Sequence, residues 1–157
     1  MIKIFPADKY FSLCVRERAE WKCERCGTQY SNPTMALHCA HFHSRGHWST
    51  RFDPANALAQ CWGCHIYTGN HREEHIKLHK SIIGEVEYDR IWFDHSRPAT
   101  KIKSRKAEIA RHFRQEFERL QKLRDQGVIG RLEFEAWDAS SDLKTKAVSR
   151  KPKARTS

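Results

Sequence analysis

Between Leu37 and His65 the chain carries five of its ten histidines and three of its six cysteines. Imidazole and thiolate are the side chains that hold borderline divalent metals, and imidazole also exchanges protons near neutral pH. Crowding them into so short a stretch predicts a local site: a structural metal knuckle, a catalytic centre, or both.

The cysteines divide by spacing. Cys23-x-x-Cys26 and Cys61-x-x-Cys64 are two CxxC pairs with 34 residues between them. Each pair can turn through a knuckle so that both sulfurs point the same way, and two pairs can offer a zinc ion four thiolates at about 2.3 Å. A disulfide framework is the alternative, disfavoured because the N-terminal "MIKIFPADKYFS" lacks the apolar run of a secretory signal. The separation exceeds that of an ordinary zinc ribbon, so something is inserted between the knuckles. The insert is the histidine-rich segment, and a structural zinc would clamp its base. Cys14 and Cys39 lie outside the pairs and are expected as small buried side chains. A zinc closed by four thiolates has no open coordination position. Any hydrolytic chemistry would therefore fall to the histidines.

The order of these residues carries a resemblance. His41 of "CAHFH" falls late in a first strand, Asn56 of "DPANAL" opens a second, and His65 of "CWGCH" starts a helix directly after a CxxC knuckle. This pattern resembles the HNH, or ββα-metal, endonuclease family over roughly residues 23–80. The stretches "HFHSRG", "TRFDPAN", "QCWGCH" and "TGN" are similar to its phage recombination endonucleases of the NinG/Rap type, a likeness reaching through "GEVEYDRI".

The resemblance implies a metal-dependent DNA endonuclease that leaves 5′-phosphate and 3′-hydroxyl ends. His41 would be the general base, His65 would hold a divalent metal against the scissile phosphate, and Asn56 would tie down the loop and orient the base. Mg²⁺ or Mn²⁺ is the expected catalytic ion, beside the structural Zn²⁺. The family often places a second ligand just before the base, where this chain has Ala40. His43, two residues from His41, is the first substitute to consider, and His75 a further one. His71, His75 and His79 fall at i, i+4 and i+8, which gives either a ligand stripe or a solvated, phosphate-facing one, the latter favoured. Asp53, before Pro54, is expected to shape a turn.

Charge points to the partner. Lys and Arg outnumber Asp and Glu by 29 to 19, a formal net charge of +10, which suits DNA because each phosphate neutralised releases counterions. Arg45, Trp48 and Arg51 on the loop and Lys101, Lys103 and Arg105 further on are the candidate contacts. The alternatives are that Trp48 covers the core and that the lysines lie on an ordinary solvated face.

These residues need elements to position them. Phe11, Val15 and Ala19 at helical spacing predict a helix over 7–22. "TMALHCAHFH" and "ALAQCWGC" predict two strands joined by a long loop, and "HIYTGNHREEHIKLHK" a helix capped at Asn70. "GEVEYDRIWFDHSR" predicts a helix with Val86, Ile91 and Trp92 inward, and Ile102, Ile109, Phe113, Phe117 and Leu120 predict one long helix over 100–126, ended at Gly127. No internal repeat is visible.

The expected architecture is α+β: a zinc-stapled ββα core with flanking helices over 1–98, a long amphipathic helix and extension over 99–139, and a disordered basic tail over 140–157. Apolar residues are only 39% and charged residues 31%, so the core must be small and a metal would reinforce it. The chain is expected to be soluble and cytoplasmic, in an infected or host bacterial cell, with no membrane segment and no small-molecule cofactor. Two other functions fit the same motifs: a zinc-dependent DNA-binding module without catalysis, and a redox protein using its CxxC dithiols.

Overall fold

In the computed structural model, residues 1–139 are described, and the basic tail expected over 140–157 lies outside them. The fold is α+β, with six helices around one two-stranded antiparallel sheet. β1 (Leu37–His41) pairs with β2 (Ala57–Cys61), Leu37 opposite Cys61 and His41 opposite Ala57. A single turn of 3₁₀ helix, Pro54–Asn56, feeds β2.

Strand alternation sorts the hairpin into two faces. Leu37 and Cys39 of β1, with Ala57 and Ala59 of β2, join the main core. That core is built on α1 (Pro6–Arg18) and α6 (Lys106–Asp125). The Phe11 ring meets Phe113 edge-on at 5.1 Å, and the Cys14 thiol donates to the Phe113 carbonyl at 3.2 Å. Cys14 and Cys39 are buried as expected. The other face carries His38, Ala40, Leu58 and Gln60. Against it lies α2 (Trp62–Asn70), whose Thr68 hydroxyl donates to the Gln60 amide oxygen at 3.0 Å. Phe42 continues this face into a smaller core with Tyr88 and Ile91 of α4 (Glu85–Asp94).

Several elements differ from their sequence expectation. The single helix expected after Cys64 is two: α2 ends at Asn70 and α3 (Arg72–Ile83) begins after His71, whose φ of −126° and ψ of 82° cannot continue a helix. The long helix over 100–126 is likewise broken, into α5 (Thr100–Ser104) and α6, because Arg105 sits at φ −115°, ψ 30°. Periodicity carried through both breaks, since one non-helical residue barely shifts a seven-residue apolar pattern. On α4 the inner face is Tyr88 and Ile91, while Val86 is 82% exposed and Trp92 48%. α1 stops at Arg18 rather than 22, where Glu20 and Trp21 both take positive φ. Trp21 is held there by donating to the Glu17 carboxylate at 2.7 Å. No helix of the described residues is long and apolar enough to cross a membrane.

Candidate metal centre and histidine sites

At one end of the hairpin the four cysteines of the CxxC pairs come together. The first pair sits in a knuckle closed by Gly27, whose positive φ of 77° suits glycine and whose N–H donates to the Cys23 carbonyl at 2.8 Å. Glu24 stitches that knuckle to β2: its N–H donates to the Ala59 carbonyl and its carboxylate accepts from the Ala59 N–H, both at 2.8 Å. The second pair straddles the start of α2, with Cys61 as its N-cap and Cys64 in the first turn.

All four sulfurs lie within 4.8 Å of one another, and Cys26 and Cys61 are 3.9 Å apart. A tetrahedral zinc with Zn–S bonds of about 2.3 Å sets its sulfurs about 3.8 Å apart, so the donor set fits the ion. None of the six cysteines is in a disulfide. Hydrogen bonds from Thr28 hold the Cys26 thiol down at about 6, and burial pushes Cys64 up to about 12. Four clustered thiols cannot all ionise unaided, and a bound dication would supply the missing charge. The Arg25 guanidinium, donating to Cys64 Sγ at 3.5 Å, adds to it.

The histidines do not gather in this way. Among the described residues the four thiols are the group of three or more metal donors that converge. The three histidines His41, His65 and His43 each lie in a different neighbourhood.

His41 leaves the face of Leu37 and Cys39. Its ring lies 5.7 Å from Phe11, and its Nε2–H donates to the Arg51 carbonyl at 3.0 Å. Burial holds its pKa down at about 4, with nearby Arg45 adding to the effect. His65, in the first turn of α2, leaves the opposite face. Its ring stands 5.5 Å from His38, which in turn lies 5.6 Å from Trp62. Burial and then His38 lower the His65 pKa. The two histidines expected to converge on one phosphate are therefore not brought together: they leave opposite faces of the hairpin, because strand alternation turns His41 toward α1 while α2 carries His65 on the face of His38. The partner of His65 is His38, two residues before Ala40 on the same strand face. Sequence reasoning passed over His38, although counting back by two from the missing ligand position reaches it.

The third neighbourhood holds His43, expected as the substitute ligand beside His41. It lies instead with His47 and His95, its ring stacked on that of His95 at 4.4 Å. Of the three histidines at i, i+4 and i+8, only His71, which precedes α3, is exposed, stacked on Tyr67 at 4.0 Å. His75 and His79 are buried against Phe42, at 4.9 and 4.8 Å, and His79 donates to the Ala55 carbonyl at 2.6 Å. The solvated stripe favoured from the sequence thus holds at one residue of three. His75 is near enough to His65 to feel its charge.

Asn56, fully buried, fastens both limbs of the loop between the strands. Its Oδ1 accepts from the His43 N–H at 2.8 Å, and its Nδ2 donates to the carbonyls of His43 and Thr50 at 2.9 and 3.0 Å. Asp53 shapes the turn as expected, accepting from the Ala55 N–H at 2.9 Å. Arg51, expected to grip phosphate, is 2% exposed and forms a forked pair with Asp8 at 2.8 and 2.9 Å. Its charge is spent inside the protein. Trp48 is half-buried on Phe5 and Phe52, with the Arg51 guanidinium 4.4 Å over its ring. Arg45 is half-buried, 4.0 Å from Asp8. Lys101 and Lys103 are exposed, and Arg105 is half-buried in an ion pair with Glu108.

No family model, curated protein or solved structure matches this chain.

Proposed function

We propose that this protein is a metal-dependent DNA endonuclease of the HNH, or ββα-metal, type, with a structural zinc on Cys23, Cys26, Cys61 and Cys64. The observation that carries the proposal is the hairpin-to-helix unit: two strands clamped at their base by four thiols, a loop fastened by Asn56, and His65 at the first helical turn meeting His38 on the sheet face that α2 covers. The net charge of +10 supports a polyanionic substrate.

His38 and His65 would hold the divalent ion, with His75 the nearest additional imidazole. When bound, such an ion neutralises charge on the phosphate oxygens and lowers the pKa of water. Burial, with His38 beside it, disfavours the charged form of His65, and the neutral imidazole is the form that can ligate. His41 is the proposed base. Donation from its Nε2 to the Arg51 carbonyl orients the ring. Asn56 acts through this arrangement, since it holds the loop that presents the Arg51 carbonyl.

One observation favours a second reading, a zinc-dependent DNA-binding module without catalysis. The His41 ring is packed on Phe11 with a pKa near 4, lower than a base working at neutral pH needs. Incubating zinc-loaded protein with supercoiled plasmid and Mn²⁺ or Mg²⁺ separates the two. The nuclease nicks, loses at least ~100-fold of its rate in His65→Ala and in His41→Ala, and still binds DNA in both variants. Binding without nicking in the wild type leaves only the module. Nicking that survives His41→Ala but not His65→Ala removes His41 from the chemistry.

A further inference from the structure

A second histidine cluster stands apart from the His38 and His65 pair. His43 follows β1, His47 lies four residues further along the loop, and His95 caps the C-terminal end of α4. Their ring centroids are 4.4 Å (His43 to His95), 5.2 Å (His47 to His95) and 6.1 Å (His43 to His47) apart. Trp92 closes one side, 5.0 Å from His43 and 5.1 Å from His95.

The nitrogen inventory is what marks the cluster. His43 is 5% exposed, its backbone is pinned at both N–H and carbonyl by Asn56, and its Nε2 is buried without a hydrogen-bond partner. A buried ring nitrogen with nothing to bond is costly and calls for an ion or water to meet it. His95 Nδ1 is engaged by the Trp92 carbonyl, which leaves its Nε2 free, and His47 is exposed and can turn. The loop is already tied to this helix end, because Ser49 donates its hydroxyl to the His95 carbonyl at 2.9 Å.

We infer that His43, His47 and His95 form a second metal site, for an imidazole-preferring cation such as Zn²⁺, Ni²⁺ or Co²⁺, which locks the loop onto the end of α4. The rings stack rather than converge, so binding rotates His95 and His47 about their side-chain torsions while His43 stays put. Three nitrogen donors with no carboxylate among them, and Arg72 adding positive charge near His43 and above Trp92, make the site a poor one for Mg²⁺ or Ca²⁺. The site rests on none of the nuclease roles.

The test uses full-length protein with its thiolate site filled by zinc and dialysed against Ni²⁺, with bound metal counted by elemental analysis. His65→Ala serves as the background, so that the His38 and His65 pair does not contribute. The expected result is one nickel beyond the zinc, accompanied by quenching of tryptophan fluorescence that disappears in Trp92→Phe. His47→Ala and His95→Ala, which change exposed or half-buried rings, each weaken nickel binding by at least about tenfold, while His71→Ala does not. No nickel beyond the zinc, or nickel retained at unchanged affinity in both His47→Ala and His95→Ala, overturns the inference.

Discussion

The two ends of the hairpin use similar residues in opposite ways. At the knuckle end, four sulfurs lie within 4.8 Å of one another with their hydrogen-bonding surroundings already in place. The histidines, by contrast, are distributed over separate neighbourhoods, from His38 and His65 beside the knuckle to His43 at the loop, and His41, His79 and His95 each spend a nitrogen on a backbone carbonyl. A CxxC pair is a local motif, and its geometry follows from one tight turn. The position of a histidine near a strand end depends on strand parity and on which helix covers each face. The knuckle end is therefore a staple built from sequence-local rules, while the loop end is assembled by the tertiary fold.

Removing the staple should have the largest effect. Cys61→Ser, or stripping zinc with a chelator, is expected to abolish the cooperative thermal transition or lower it by more than about 10 °C, because metal binding free energy in so small a core is folding free energy. A transition unchanged by chelation would mean that the hairpin base holds without an ion. Next comes the loop end's own anchor. Breaking the buried Arg51 and Asp8 pair with Arg51→Met should cost about 4 kcal/mol in denaturant unfolding, since it strands a buried carboxylate. Asn56→Ala should cost about 2–3 kcal/mol, leaving the His43 and Thr50 backbone groups unpaired.

Acid should distinguish the ends as well. Burial first holds His41 down to about 4 and His79 to about 3, from an ordinary 6.5. The unfolded chain then binds more protons than the folded one as pH falls, so their contribution to stability is full above about 6.5 and declines from there through about 4 for His41 and about 3 for His79. His79→Gln, which keeps a donor for the Ala55 carbonyl, should flatten the slope of melting temperature against pH. An unchanged slope would mean that the ring is not held neutral. The smallest effects belong to the exposed lysines: Lys101→Ala and Lys103→Ala should each leave stability within about 0.5 kcal/mol. If both contact phosphate, each lowers the salt dependence of DNA binding by about one ion.

How much of this was legible in the sequence follows the same division. Cys23, Cys26, Cys61 and Cys64 were readable from spacing, as were the burial of Cys14 and Cys39 and the hairpin between the knuckles. The breaks at His71 and Arg105 were not, because apolar periodicity survives a single non-helical residue. Arg51 looked like a phosphate contact because nothing local shows that Asp8, 43 residues earlier, would claim it. His38 was hidden in plain view, two residues from Ala40, and only the packing of α2 on that face gives it a partner.

The proposed catalytic metal site depends on that partner. Plasmid nicking measured against Mn²⁺ concentration, in wild type and His38→Ala, tests it most directly. The expected result is that His38→Ala needs at least about tenfold more Mn²⁺ for half-maximal nicking while its zinc content and melting temperature are unchanged. Identical Mn²⁺ dependence in the two proteins, or no nicking by the wild type at any concentration, would contradict it.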